Sequence, residues 1–278
     1  MILKSLVILA CLFLSSCMTS EKLHLRTQGQ LTEFLKDKIG QLSSAVRVND
    51  ALFTIVHLKQ QHYSELYTNK IEEQLRAAPD AAGILKIKEQ YFSQIVQIDK
   101  IQKEIYDFLL ASTSSKDFLY VEGRSYPNHY RDAFLSKYIP ETKSAANKVL
   151  NIKGSFGKFL PEPPFFLGAS FLIHKERKMK VLGVENLALL NLTLSLYKSK
   201  KLSPADMLQF LKECHEARED QMIKNMSVEF DDMNYRMSSL RFLICGSKHD
   251  LVNNVEKWNK ENPHKKANLL EFTPSELR

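Results

Sequence analysis

Five short apolar runs punctuate the chain, with helical pattern in most of the intervals. They are "ALFTIVHL" at 51–58, "DFLYVEG" at 117–123, "MKVLGVE" at 179–185, "LRFLICG" at 240–246 and "ANLLEF" at 267–272. β-Branched and aromatic side chains dominate them, which suits strands. Strands separated by helices point to an α/β fold with a central, largely parallel mixed sheet flanked by helices, with helical insertions.

The intervening segments are read by period and by punctuation. "LTEFLKDKIGQLSSAV" at 31–46 reads as a first helix broken by Gly40, and "SELYTNKIEEQLRAA" as a helix stopped by Pro79. A long helix starts near Ala81, because Ile84, Ile87, Tyr91, Ile95, Ile98, Ile105 and Phe108 keep helical spacing. Residues 124–164 are mixed, with a helix near "ETKSAANKVL" and a stiff loop at "PEPP". "LGASFLIHK" reads as a short helix and "NLALLNLTLSLYKSKK" as a longer one. Ser203 caps the next helix, with Pro204 at its first position. "KHDLVNNVEKWNKEN" supplies the last.

The N-terminus is set apart from the fold. Lys4 precedes "SLVILACLFL", an apolar run too short to span a bilayer but suited to a signal peptide. It ends in "LSSC", Leu14 to Cys17, which resembles the lipobox of bacterial lipoproteins. The resemblance implies removal of residues 1–16, acylation of Cys17 (palmitate-type chains included) and a membrane-lipid anchor. The alternative is an ordinary secretory signal with an incidental cysteine. Met18 stands where an inner-membrane retention Asp would sit. The expected address is therefore the bacterial cell envelope, at the outer membrane facing the periplasm. Residues 17–40 are read as tether and first helix, and 41–278 as one α/β domain.

The formal charge is +7, with 44% apolar and 26% charged residues. That composition is ordinary for a globular protein. The basic clusters "HKERKMK" and "KSKK" lack interleaved aromatics and read as solvated rims, so nucleic acid is not an expected partner. Past the anchor, Cys214 and Cys245 remain, too few for a disulfide framework.

Four of the strands run directly into a histidine or a glutamate. The first gives "TIVHLKQQHY", with His57 inside it and His62 beyond; the second ends on Glu122, the third on Glu185, and the fourth leads through "GSKH" to His249. Carboxyl ends of parallel strands share one edge, where ligands bind. Two imidazoles and two carboxylates are a competent set for a divalent cation with an open position. Gly246 would let the backbone turn and approach closely. His57 reads as a core histidine. His24, His174, His215 and His264 read as surface, and His129 in "YPNHYRD" as a weak pocket candidate. Cys245, inside an apolar strand, is a poor nucleophile. GxSxG, HExxH and phosphate-loop motifs are absent from the sequence.

The order of these features resembles the TIKI/TraB/PrgY/GumN group and its erythromycin-esterase-like and ChaN-like relatives. "GSKH" at 246–249 matches their second Gly-x-x-His motif, "REDQM" at 218–222 their Arg-x-x-x-Met helix, and Glu122 and Glu185 their acidic positions. The first motif departs, with Lys59 where glycine is expected before His62. The resemblance implies a metal-dependent hydrolase acting on a peptide or ester, using Mn, Co or Zn. His62, Glu122 and His249 would bind the cation, with Glu185 as general base and Arg218 orienting a carboxylate or stabilising an oxyanion. The two glutamates could exchange roles. The competing expectations are a non-catalytic relative that binds a ligand at the same mouth, and a structural lipoprotein whose strand ends are scattered.

Overall fold

The computed structural model describes residues 41–63, 65–113, 117–126, 132–198, 203–228 and 240–277. The signal segment, Cys17, the tether, His24 and His129 lie outside them. β1 spans Gln41–Val46, β2 Phe53–Gln60, β3 Phe118–Ser125, β4 Lys180–Glu185, β5 Leu240–Gly246 and β6 Ala267–Thr273. The helices are α1 Glu65–Ala77, α2 Ala81–Ser112, α3 Asp132–Leu150, α4 Ala169–Arg177, α5 Leu187–Lys198, α6 Pro204–Met226 and α7 Val252–Glu261. They form an α/β fold around a six-stranded sheet in the order β1-β6-β2-β5-β3-β4. β6, β2, β5, β3 and β4 run parallel, while β1 closes the edge antiparallel to β6.

The unbroken apolar runs follow from burial on both sheet faces, as expected of parallel strands. On one face Val56, Leu58, Val121, Phe242 and Ile244 pack against Ile101, Ile105 and Phe108 of α2 and Ile173 of α4. On the other, Ile55, Tyr120, Leu243 and Cys245 meet Met222, Ile223 and Met226 of α6 and Val255 of α7. Phe242 is fully buried between helix and sheet, so its truncation to Ala would cost about 3–5 kcal/mol. A separate cluster joins α1, the first half of α2 and α3 through Leu75, Tyr91, Ile95 and Val149, making the helical insertion.

Local signals place the helix starts. Asp80 caps α2 by accepting from the Gly83 N–H at 2.7 Å. Ser203 caps α6 from Asp206 N–H at 3.1 Å, with Pro204 at the first helical position. One expectation is corrected. Residues 41–46, read as the end of a helix, form strand β1, because pairing with β6 outweighs their weak helical pattern. α3 also begins earlier than expected, at Asp132, and carries Pro140 inside it. Among the described residues no helix is long and apolar enough to cross a membrane.

Candidate functional site

The end of β3 departs from regular pairing, and the site is built on that departure. Val121 pairs with Gly183, but Ser125 pairs with Glu185, so β3 carries extra chain across Glu122 to Arg124. Gly123 takes φ +80°, a conformation that favours glycine. Gly183 is required from below: a Cβ there would lie 2.5 Å from the Ser125 carbonyl oxygen and 2.6 Å from that of Arg124.

At this bulge Glu122 meets the end of β5 and the side of α6. Its Oε2 accepts the Gly246 N–H at 2.6 Å and lies 3.4 Å from Cys245 Sγ. Its Oε1 lies 3.0 Å from His249 Nε2 and 3.3 Å from Arg218 Nη2. A Cβ on Gly246 would come within 3.1 Å of the carboxylate, so the glycine serves the close approach of Glu122.

α6 supplies the other charges from one face, as its period requires. Arg218 grips Glu185 with a two-pronged contact: Nε reaches Oε2 at 3.1 Å, and Nη2 pairs with Oε1. Glu219 Oε1 lies 2.8 Å from His249 Nδ1. His215, one turn earlier, stacks on His249 with ring centroids 5.6 Å apart.

The electrostatics follow from this packing. Burial disfavours a charged His249, but hydrogen bonds to Glu122 and Glu219 outweigh it and raise its pKa to about 9. Burial likewise opposes a charged Glu122, yet His249, the Gly246 N–H and Arg218 hold it well below the carboxylate range. Burial, reinforced by Glu122, pushes the Cys245 thiol well up. Burial lowers His215, with the charges of Arg218 and His249 adding to the shift.

A cleft of about 360 Å³ opens beside Glu122. Gln60, His62, Tyr63, Glu122, Ser170 and Arg218 line it together with Tyr138, Phe171, Leu190 and Leu194. A second groove of about 650 Å³ lies behind His249, bordered by His215, Glu219 and Lys248.

Of the residues singled out by sequence, Glu122, Glu185, Arg218 and His249 therefore meet in one group. His62 stands exposed on the same cleft, outside that hydrogen-bonded group. Among the described residues, the potential metal-ligating atoms that gather within 4.8 Å of one another are those of Glu122, Cys245 and His249. Glu185 is 1% exposed and has both oxygens on Arg218, away from the cleft lining. Lys59 is the register partner of Cys245, with its ammonium 3.3 Å from Glu271 Oε2. His57 is buried beside it, with Nδ1 2.9 Å from Glu271 Oε1. His174 contacts the Met179 carbonyl oxygen at 2.7 Å.

Sequence reasoning missed Glu219 and read His215 as surface. The available signal was their spacing: His215, Arg218, Glu219 and Met222 fall at helical intervals on one face. The two cysteines, left open by sequence, are free and buried. No known protein family matches the chain, and no curated protein or solved structure matches it either.

Proposed function

We propose that the protein is a hydrolase that opens an ester or peptide bond in the cleft beside Glu122, assisted by a divalent cation such as Mn, Co or Zn. The observation that carries this reading is that Glu122 lines a ligand-sized cleft while bonded to His249 and Arg218. The family resemblance, the Cys17 anchor and the envelope address belong to the same proposal.

The donor set fits a cation. Glu122, Glu185 and Glu219 bring three negative charges against Arg218, so with His249 neutral a divalent cation would balance the group. In the ion-free protein a proton on His249 does part of that work, between two carboxylates. Glu122 and His249 would hold the cation, with Cys245 the further donor whose ligating atom lies within 4.8 Å of theirs. A lysine in place of glycine in the first motif is tolerable because the Lys59 ammonium is paired with Glu271, which balances its charge. Bound there, the cation would act as a Lewis acid toward a scissile carbonyl.

The chain's own residues divide the remaining tasks. Glu219 fixes the ring plane of His249, as carboxylates behind ligating imidazoles do. Glu185, enclosed by Arg218, orients the guanidinium and leaves the role of base. Arg218, always charged, stands at the cleft floor where negative charge on a tetrahedral carbon would develop. His62, exposed on the same cleft, is the imidazole that can accept a proton from water.

The test is elemental analysis of purified residues 20–278 beside His249→Ala, followed by a screen of esters and peptides with each cation. About one equivalent of metal, lost in the variant, is expected. Glu122→Gln should lower turnover by about 10²-fold or more. Unchanged turnover in Glu122→Gln would overturn the proposal.

A second reading, ligand binding without turnover, is favoured by the closure of the charge network. Glu122 already has partners on both oxygens. It expects a ligand that binds in the cleft and is recovered intact.

A further inference from the structure

The lining of the cleft is uneven in a way that bears on what enters it. Glu122 and Arg218 form one end. The rest of the lining is divided between apolar side chains, chiefly Leu167, Phe171, Leu190, Leu194 and Ile244, and the polar Gln60, His62, Tyr63 and Ser170, with the rings of Tyr138 and Phe171 4.8 Å apart. Thr193 also lines this wall, but its hydroxyl donates to the Leu189 carbonyl within α5 at 2.8 Å.

An extended peptide binds through main-chain hydrogen bonds along its length. The Tyr63 hydroxyl is already 2.7 Å from that of Tyr91, and Gln60 Oε1 accepts from Gln102 at 2.8 Å, so few groups of the lining are left to pair with a peptide, and unpaired peptide groups would be costly. A hydrocarbon chain needs no such partners and gains from each methylene that leaves water. The size agrees: about 360 Å³ is roughly twelve times the liquid volume of a water molecule, about 30 Å³, so it holds about a dozen heavy atoms. Arg218 is already balanced by Glu122 and Glu185, so the polar end favours a neutral head over a free carboxylate. The apolar lining also reaches solvent along α5, where Leu194 is 43% exposed.

We infer that the cleft takes the alkyl or acyl chain of a neutral amphiphile, with its polar head at Glu122 and Arg218. This names the substrate class of the site and rests on the reading of it as hydrolytic; the test below does not require turnover.

The experiment is calorimetric titration of the protein with 1-O-alkyl glycerols, whose ether links resist hydrolysis. Chains of about four to about twelve carbons are used as monomers, and each added methylene should tighten Kd roughly fourfold until the cleft fills. Leu194→Asp, at a partly exposed position in the wall, should flatten the series. Leu187→Asp, on the same helix but outside the cleft lining, should leave it unchanged. A Kd independent of chain length overturns the inference, as does a series that survives Leu194→Asp or is lost equally in Leu187→Asp. Presenting the probe in zwitterionic vesicles reads the source of the chain: saturable uptake from monomer or vesicle supports the inference if Leu194→Asp abolishes it. A graded series without hydrolysis of the matching esters removes the enzymatic reading and leaves this one. Hydrolysis of short esters with no chain-length dependence does the reverse.

Discussion

His249 Nδ1 lies 2.8 Å from Glu219 Oε1, and that contact sets the orientation of the ring that reaches Glu122 with its other nitrogen at 3.0 Å. The imidazole is clamped between carboxylates from α6 and β3. Glu219→Gln removes charge and acceptor strength while keeping shape. Affinity for Mn²⁺, Co²⁺ or Zn²⁺, measured by calorimetry, should fall by about 10–100-fold.

The same clamp makes the ion-free protein pH-sensitive. The pKa of His249 is raised in the folded state to about 9, so its contribution is complete below about pH 6.5, its unfolded value, and is lost as pH rises through about 9. Glu122 is shifted the other way. Its contribution is present above the ordinary carboxylate range and disappears as pH falls well below it. Urea denaturation in the presence of a chelator should show stability falling between about pH 6.5 and 9, by on the order of 3 kcal/mol. In His249→Asn that slope should vanish.

Arg218 stands between two carboxylates, one of them wholly enclosed. Arg218→Ala leaves Glu185 buried without its counter-charge and should lower unfolding free energy by about 3–5 kcal/mol. Arg218→Lys keeps the charge but loses the planar two-pronged grip, so stability should recover in part and turnover should stay low.

Two glycines should separate folding from function. Gly183→Ala drives a methyl into the backbone of β3, so a chevron or melting analysis should report a loss of about 1–3 kcal/mol. Gly246→Ala presses on a side-chain carboxylate instead, which can swing away. That variant should fold near normally and lose ligand or metal affinity.

Cys214 and Cys245 are both buried, and Cys245 is further protected by its raised pKa. Alkylation followed by mass spectrometry should find both unmodified in the native protein and both labelled in urea.

Much of this arrangement was legible because strand ends carry two signals at once, an apolar run and the polar residue that stops it. Glu122, Glu185 and His249 were found in that way, and parallel topology brought them together. The division of roles was not legible. Whether a strand-end carboxylate faces a cleft or an arginine depends on the bulge after Val121, which is a matter of register between β3 and β4. Glu219 was overlooked because a helical acid beside an arginine looks like an exposed charge until α6 is docked. β1 was misread because its pairing partner β6 lies more than two hundred residues away.

The odd strand in the sheet also sets a direction. Because β1 alone is antiparallel, its first residue, Gln41, pairs with Thr273 at the rim where β6 ends. That is the rim from which Glu185 and Gly246 project, roughly 20 Å farther along the sheet. A mooring upstream of Gln41 would therefore enter the sheet at the same rim as the candidate site. With a short mooring, whatever that cleft binds would be met at the surface the protein is fastened to, with the opposite rim turned toward open solvent.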